Sequence, residues 1–292
     1  MKVVSMKHIL FLLVLFLLAL DAITSSAAEE IPDINTVFMR STFKLVGKAA
    51  GRNQSNLGTA FILAKPSATE PKKAYFVLVT AGHVLKRMVG DEAVLSLRRK
   101  IGDSYQKILF PIKIRKNGRP IWTDHPEADV AVMYIKLPVE ADVIPVATNL
   151  LATDEMLSQF AVHPGDRLSC LGFPQGVEAN EAGFPILRSG QIASYPLVPT
   201  KSVKDFVFDF NVFEGNSGGP VYLSDSNRIY GGTTNMGTVQ FLVGLVSEQA
   251  SFNEEIKMGG KKLMLAHQLG LAIVIHASLI REALDLLPAP VD

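Results

Sequence analysis

Phe213-Glu214-Gly215-Asn216-Ser217-Gly218-Gly219-Pro220 sets one serine among three glycines and closes on a proline. Glycine has no Cβ, so it accepts positive φ and lets a second backbone come close. A turn built this way can expose Ser217 Oγ while aiming the amides of Gly215 and Ser217 at one point, as an oxyanion hole requires. A plain glycine-rich hairpin loop is the alternative reading of the same residues.

Two segments upstream carry the partners such a serine needs. Tyr75-Phe76-Val77-Leu78-Val79 is an apolar strand that runs into Thr80-Ala81-Gly82-His83-Val84. A histidine behind small residues at a strand end has room to lean over a cleft, although a lone histidine is more often structural. Ala128-Asp129-Val130-Ala131-Val132-Met133-Tyr134-Ile135 opens an apolar strand with an acid. A buried carboxylate without a partner costs several kcal/mol, roughly, so Asp129 calls for one. By itself it reads equally well as a strand-start or turn residue.

The rest of the chain has a short-strand style. Strands are expected at 41–47, 59–63, 94–101, 108–116, 167–171, 190–194, 205–210, 220–223, 240–246 and 270–275. Asn117-Gly118 marks a tight hairpin turn. Residues 138–154 read as a connection between two sheet systems, and 224–239 and 248–262 as long loops. One amphipathic helix is expected at 278–287, with Leu279, Ile280, Ala283, Leu284 and Leu287 on one side and Pro288 ending it.

Composition removes several function classes. The 29 basic against 28 acidic residues leave a net charge of +1, so no electrostatic footprint points to nucleic acid. Cys170 is the single cysteine, which excludes an intrachain disulfide framework and a multi-cysteine metal site; its strand-like flanks read as a buried, inert thiol. His125, His163, His267 and His276 lack the grouped spacing of a zinc site, so neither metal nor cofactor is expected. Lys2, Lys7, the apolar run Ile9 to Leu20 and Ser26-Ala27-Ala28 form a signal peptide over residues 1–28, with a retained anchor as the alternative. The mature protein is expected to be exported, periplasmic or secreted, with no transmembrane segment after cleavage; export without disulfides leans towards a bacterial source.

His83, Asp129 and Ser217 stand in the chain order His, Asp, Ser, which is that of the chymotrypsin type of triad. With Gly58-Thr59-Ala60-Phe61, Arg188-Ser189-Gly190-Gln191-Ile192 and Gly270-Leu271-Ala272-Ile273, these motifs resemble the trypsin/chymotrypsin-like serine peptidases, closest to the bacterial HtrA/Deg type. The resemblance implies an all-β fold: two six-stranded antiparallel β-barrels with a C-terminal α-helix. The expected organisation is a signal peptide (1–28), an N-terminal extension (29–36) and a peptidase domain (37–287). Within the domain lie barrel one (about 37–137), a linker (138–154), then barrel two and the helix (155–287). Residues 288–292 form a tail. His83 is implied to be the base, Asp129 its orienting acid, Ser217 the nucleophile, and the amides of Gly215 and Ser217 the oxyanion hole.

Departures from the family pattern narrow the expectation. No PDZ-like extension follows Leu287, so PDZ-regulated trimers are not expected. Asn216 cannot form the ion pair by which a freed N-terminus activates zymogens. Asn211 falls where tryptic specificity wants an aspartate at the pocket base, and Ser247 and Gln249 are expected in a pocket wall, with Gln249 narrowing it. The function read from these residues is an exported serine endopeptidase acting on proteins or peptides. The rivals are a catalytically weak or silent peptide-binding module and an esterase that uses the same triad.

Overall fold

The structure, a computed structural model, describes residues 33–51, 54–67, 69, 70, 72–258 and 261–290. The signal peptide read at residues 1–28 lies outside the described residues. From Ile34 onward the described chain forms one compact unit.

That unit opens with a helix, α1 (Ile34–Ser41), where the sequence suggested an extension running into a strand. Ile34, Phe38 and Ser41 are its buried residues, at the i, i+4, i+7 spacing of one helical face. Thr36, Val37 and Phe38 favour strand locally, but packing decides otherwise. The Phe38 ring stacks on Tyr222 at 4.3 Å, and full burial of such a side chain contributes about 1.5–3 kcal/mol.

The first sheet follows: β1 (Thr42–Lys48), β2 (Ser55–Pro66) and β3 (Ala74–Thr80), then a short helix α2 (Gly82–Lys86), β4 (Glu92–Ile101) and β5 (Ser104–Lys113). The Asn117-Gly118 turn joins β6 (Arg115–Lys116) to β7 (Arg119–Pro120), and both turn residues have positive φ, 54° and 74°, as a type I′ hairpin requires. After β8 (Thr123–Asp124) and β9 (Ala131–Tyr134), the chain adds β10 (Val146–Ala147). The strand order is β5-β4-β1-β2-β3-β9-β8, with β10 paired in parallel to β2, which makes an open eight-stranded sheet. Closure of this half into the expected six-stranded barrel is not seen among these pairings. β5 is an edge strand: Pro111 lacks the amide a further ladder would need, and Leu109 faces solvent. Nor are residues 138–154 a bare linker, since β10 and the 3₁₀ turn Thr148–Leu150 strap them to the first sheet and α3 (Asp154–Gln159) follows.

The second half does close. β11 (Arg167–Gly172), β12 (Ile186–Ile192), β13 (Asp205–Asp209) and β14 (Pro220–Asp225) join β17 (Val239–Met258) and β18 (Lys261–His276) in a six-stranded barrel ordered β11-β12-β13-β18-β17-β14. Between β14 and β17, the hairpin β15 (Ile229–Tyr230) and β16 (Thr233–Thr234) turns on Gly231-Gly232. The loop expected at 248–262 is instead the outer part of one long β17–β18 hairpin. Its backbone pairing runs from Ala250 opposite Leu271 out to Met258 opposite Lys261. The final helix α4 (Ala277–Asp285) matches expectation and buries Leu279, Ile280, Ala283 and Leu284. Among the described residues, no helix is long and apolar enough to cross a membrane.

Candidate active site

Strand pairing brings His83 to Asp129. β3 and β9 run antiparallel with Thr80 opposite Ala131. The residues just beyond Thr80 therefore meet those just before Ala131. His83 stands in α2, three residues past Thr80, and Asp129 two residues before Ala131. His83 Nδ1 lies 2.6 Å from Asp129 Oδ2, and the His83 amide donates to Asp129 Oδ1 at 2.8 Å. The two side chains are 24% and 26% exposed.

The serine turn is fixed from both halves of the fold. Gly218 N donates to Val246 O at 2.7 Å and Val246 N to Gly219 O at 2.9 Å, so the turn pairs with β17. From β2, Thr59 N donates to Ser217 O at 2.8 Å and Thr59 Oγ1 to Gly215 O at 2.6 Å. Gly218 has φ 87°, and a Cβ there would lie 2.1 Å from Thr59 O. This glycine therefore serves both backbone conformation and close approach. Among the described residues, the amides of Gly215 and Ser217 donate to no protein acceptor.

His83, Asp129, Gly215, Ser217, Ser247 and Gln249 line one cleft of about 410 Å³. Among the described residues no hydrogen bond joins Ser217 Oγ to His83. Asn211 is exposed and lies beside Gly270, outside the residues that line this cleft. Val212 and Phe213 line the cleft in its place. Asn216 is buried, and its Nδ2 has no partner among the described residues.

Ser247 does more than form a wall. Its hydroxyl donates to Asp129 Oδ2 at 2.6 Å, a contact the sequence reading missed, as it did the two Thr59 bonds. No spacing rule links Ser247 to Asp129, and only the pairing of Val246 with the serine turn brings it there. Burial alone would raise the Asp129 pKa. The hydrogen bonds from His83 and Ser247, with the attraction of His83, outweigh it and hold the carboxylate at about 2. Cys170 is buried, which pushes its thiol up to about 12 and keeps it from acting as a nucleophile. Among the described residues, no group of three His, Cys, Asp or Glu side chains could hold a metal ion.

A family model for the trypsin-like peptidase domain matches residues 58–231, a span that contains His83, Asp129 and Ser217. No curated protein matches the chain. Among solved structures, the protease Anisep from Arthrobacter nicotinovorans is 11% identical, with 87% of this chain and 98% of that one covered and a TM-score of 0.48. The Rv3671c protease from M. tuberculosis in its active form is 17% identical over 89% of this chain and 90% of its own, with a TM-score of 0.44. The serine endoprotease from Yersinia pestis is 16% identical over 88% and 68%, also at 0.44. On the family match, which spans more than half its length, this chain belongs to the trypsin-like peptidase family.

Proposed function

We propose that the protein is an exported serine endopeptidase that cleaves proteins or peptides through an acyl-enzyme. His83 Nε2 takes the Ser217 proton as Oγ attacks the scissile carbonyl carbon. The carbonyl oxygen becomes an oxyanion that accepts from the amides of Gly215 and Ser217. Collapse breaks the C–N bond, His83 protonates the leaving amine, and a serine ester remains. Water, deprotonated by His83, then releases the acid and restores Ser217. Asp129 holds the imidazole with Nδ1–H towards itself and stabilises the imidazolium.

The carrying observation is the 2.6 Å contact between His83 and Asp129 in the cleft that Ser217 also lines, beside two unengaged amides. A second reading, a silent peptide-binding fold, draws on the missing Ser217–His83 hydrogen bond. Such bonds are often long without substrate and tighten in the Michaelis complex, so the catalytic reading stands ahead. Export rests on Lys2, Lys7, the run Ile9 to Leu20 and Ser26-Ala27-Ala28; the mature chain is expected to begin at Glu29, which N-terminal sequencing checks.

Digestion of a peptide library tests the activity. Wild type is expected to cleave amide bonds. The Ser217→Ala variant should turn over about 10⁶-fold more slowly while still binding peptide. Equal cleavage by both proteins would contradict the assignment, and turnover of esters alone would move it to the esterase class.

A further inference from the structure

The segment between β11 and β12, residues 173–185, lies directly behind the serine turn. A Cβ on Gly215 would sit 2.2 Å from Phe173 O, so the two backbones touch. Gln175 holds a left-handed conformation, φ 53°, and its amide donates to Glu214 O at 2.7 Å. Whatever moves residues 173–176 therefore moves the backbone that carries the Gly215 and Ser217 amides.

From that contact the segment crosses to the first sheet. Lys44 on β1 reaches Gly176 O at 3.4 Å, and the same ammonium pairs with Glu178 Oε1 at 2.5 Å, an ion pair without hydrogen-bond geometry. Lys107 on β5 pairs with Glu178 Oε2. Further along, the wholly buried Arg98 of β4 donates to Gly183 O at 3.0 Å and lies between the Phe43 and Phe184 rings, 4.4 Å from each. One carboxylate thus ties two strands of the first half to a segment of the second.

We propose that Glu178 is a positioning residue for the acyl transfer: gripped by Lys44 and Lys107, it holds residues 173–178 so that the amides of Gly215 and Ser217 stay aimed at the oxyanion. The inference rests on the peptidase reading of the cleft. The Glu178 side chain is 12% exposed, and those of Lys44 and Lys107 are 19% and 29% exposed. Screening by solvent is therefore weaker than for a surface pair. Burial raises the Glu178 pKa, and the two ammoniums outweigh it and hold the group below its ordinary range. Without the negative charge, two ammoniums face each other across a half-buried gap, and the clamp becomes a repulsion. Oxyanion donors act only when charge develops on the carbonyl oxygen, so their misplacement lowers kcat and spares KM. A displacement of about 1 Å can cost on the order of 10²-fold in rate.

The test uses the mature chain as wild type, Glu178→Gln, Glu178→Asp and Lys107→Met. It reads peptide turnover and the rate of labelling by a fluorophosphonate, whose P=O occupies the oxyanion position. Folded E178Q is expected to label and turn over about 10-fold more slowly or worse, with KM nearly unchanged. E178D should recover part of the rate, and K107M should fall between wild type and E178Q. High salt should screen the repulsion between the two ammoniums and recover part of the E178Q rate, with wild type affected less. Folded E178Q that labels at the wild-type rate would overturn the proposal, whatever its melting temperature. Should E178Q not fold, K107M with full kcat would overturn it equally. An unreactive wild type would sink the peptidase reading itself, an outcome distinct from a reactive wild type matched by E178Q.

Discussion

Asp129 receives His83 twice, through the backbone amide at 2.8 Å and through ring Nδ1 at 2.6 Å, so carboxylate and imidazole are locked in one relative orientation. A single bond would leave the acid free to rotate. The bidentate grip leaves Oδ2 shared between Nδ1 and Ser247 Oγ, and this makes Ser247 part of the alignment.

Ser247→Ala should therefore be felt at Asp129. Loss of a hydrogen bond to a charged group costs about 1.5–3 kcal/mol, so kcat/KM should fall roughly 10- to 100-fold if the loss is expressed in the transition state. The Asp129 carboxylate should also titrate at a higher pH than its present value of about 2. Its folded pKa lies below its ordinary 3.8, so the stability it contributes is full above about pH 4 and is lost as pH falls through about 2. Carboxyl ¹³C titration of the two proteins checks both the shift and its sign.

His276, the last residue of β18, makes the barrel sensitive to acid. Its ring is buried 5.0 Å from Phe206, and neither nitrogen has a hydrogen-bond partner among the described residues. Burial lowers its pKa from 6.5 to about 4, against the smaller raising effect of Asp154. The unfolded chain binds this proton first, so stability is complete above pH 6.5 and declines by up to about 3 kcal/mol as pH falls to 4. Denaturant unfolding across that window should show the slope in wild type and a reduced slope in His276→Phe.

Gly218→Ala should abolish activity through the backbone. Left-handed φ costs a residue with a Cβ roughly 1–2 kcal/mol, and the added carbon at 2.1 Å from Thr59 O forces the turn off β2. The expected result is a lower melting temperature together with lost turnover. Full activity in a folded G218A would show that the turn need not sit against Thr59.

The candidate site was legible as far as its residues sit in local motifs: glycines around Ser217, small residues before His83, an acid before an apolar strand at Asp129. The strand starts at Arg167 and Asp205, and the buried face of the last helix, were readable in the sequence. What was not legible depends on contacts distant in sequence. Phe38 is helical because Tyr222 is there to stack on, and Ser247 reaches Asp129 because Val246 pairs with the serine turn. Asn211 was assigned to the pocket by its distance along the chain from Ser217, whereas Val212 and Phe213 are the neighbours that line the cleft. Closure of a barrel is likewise a property of strand edges, and Pro111 was the one residue in β5 that signalled an edge.

The most direct measurement is the site of covalent modification by a fluorophosphonate, located by peptide mass mapping in the wild type and in His83→Ala. A nucleophile activated by His83 predicts a single adduct on Ser217, formed quickly in wild type and essentially absent from the folded His83→Ala protein. No adduct on folded wild type, or an adduct on Ser217 that forms equally fast without the imidazole, would contradict it.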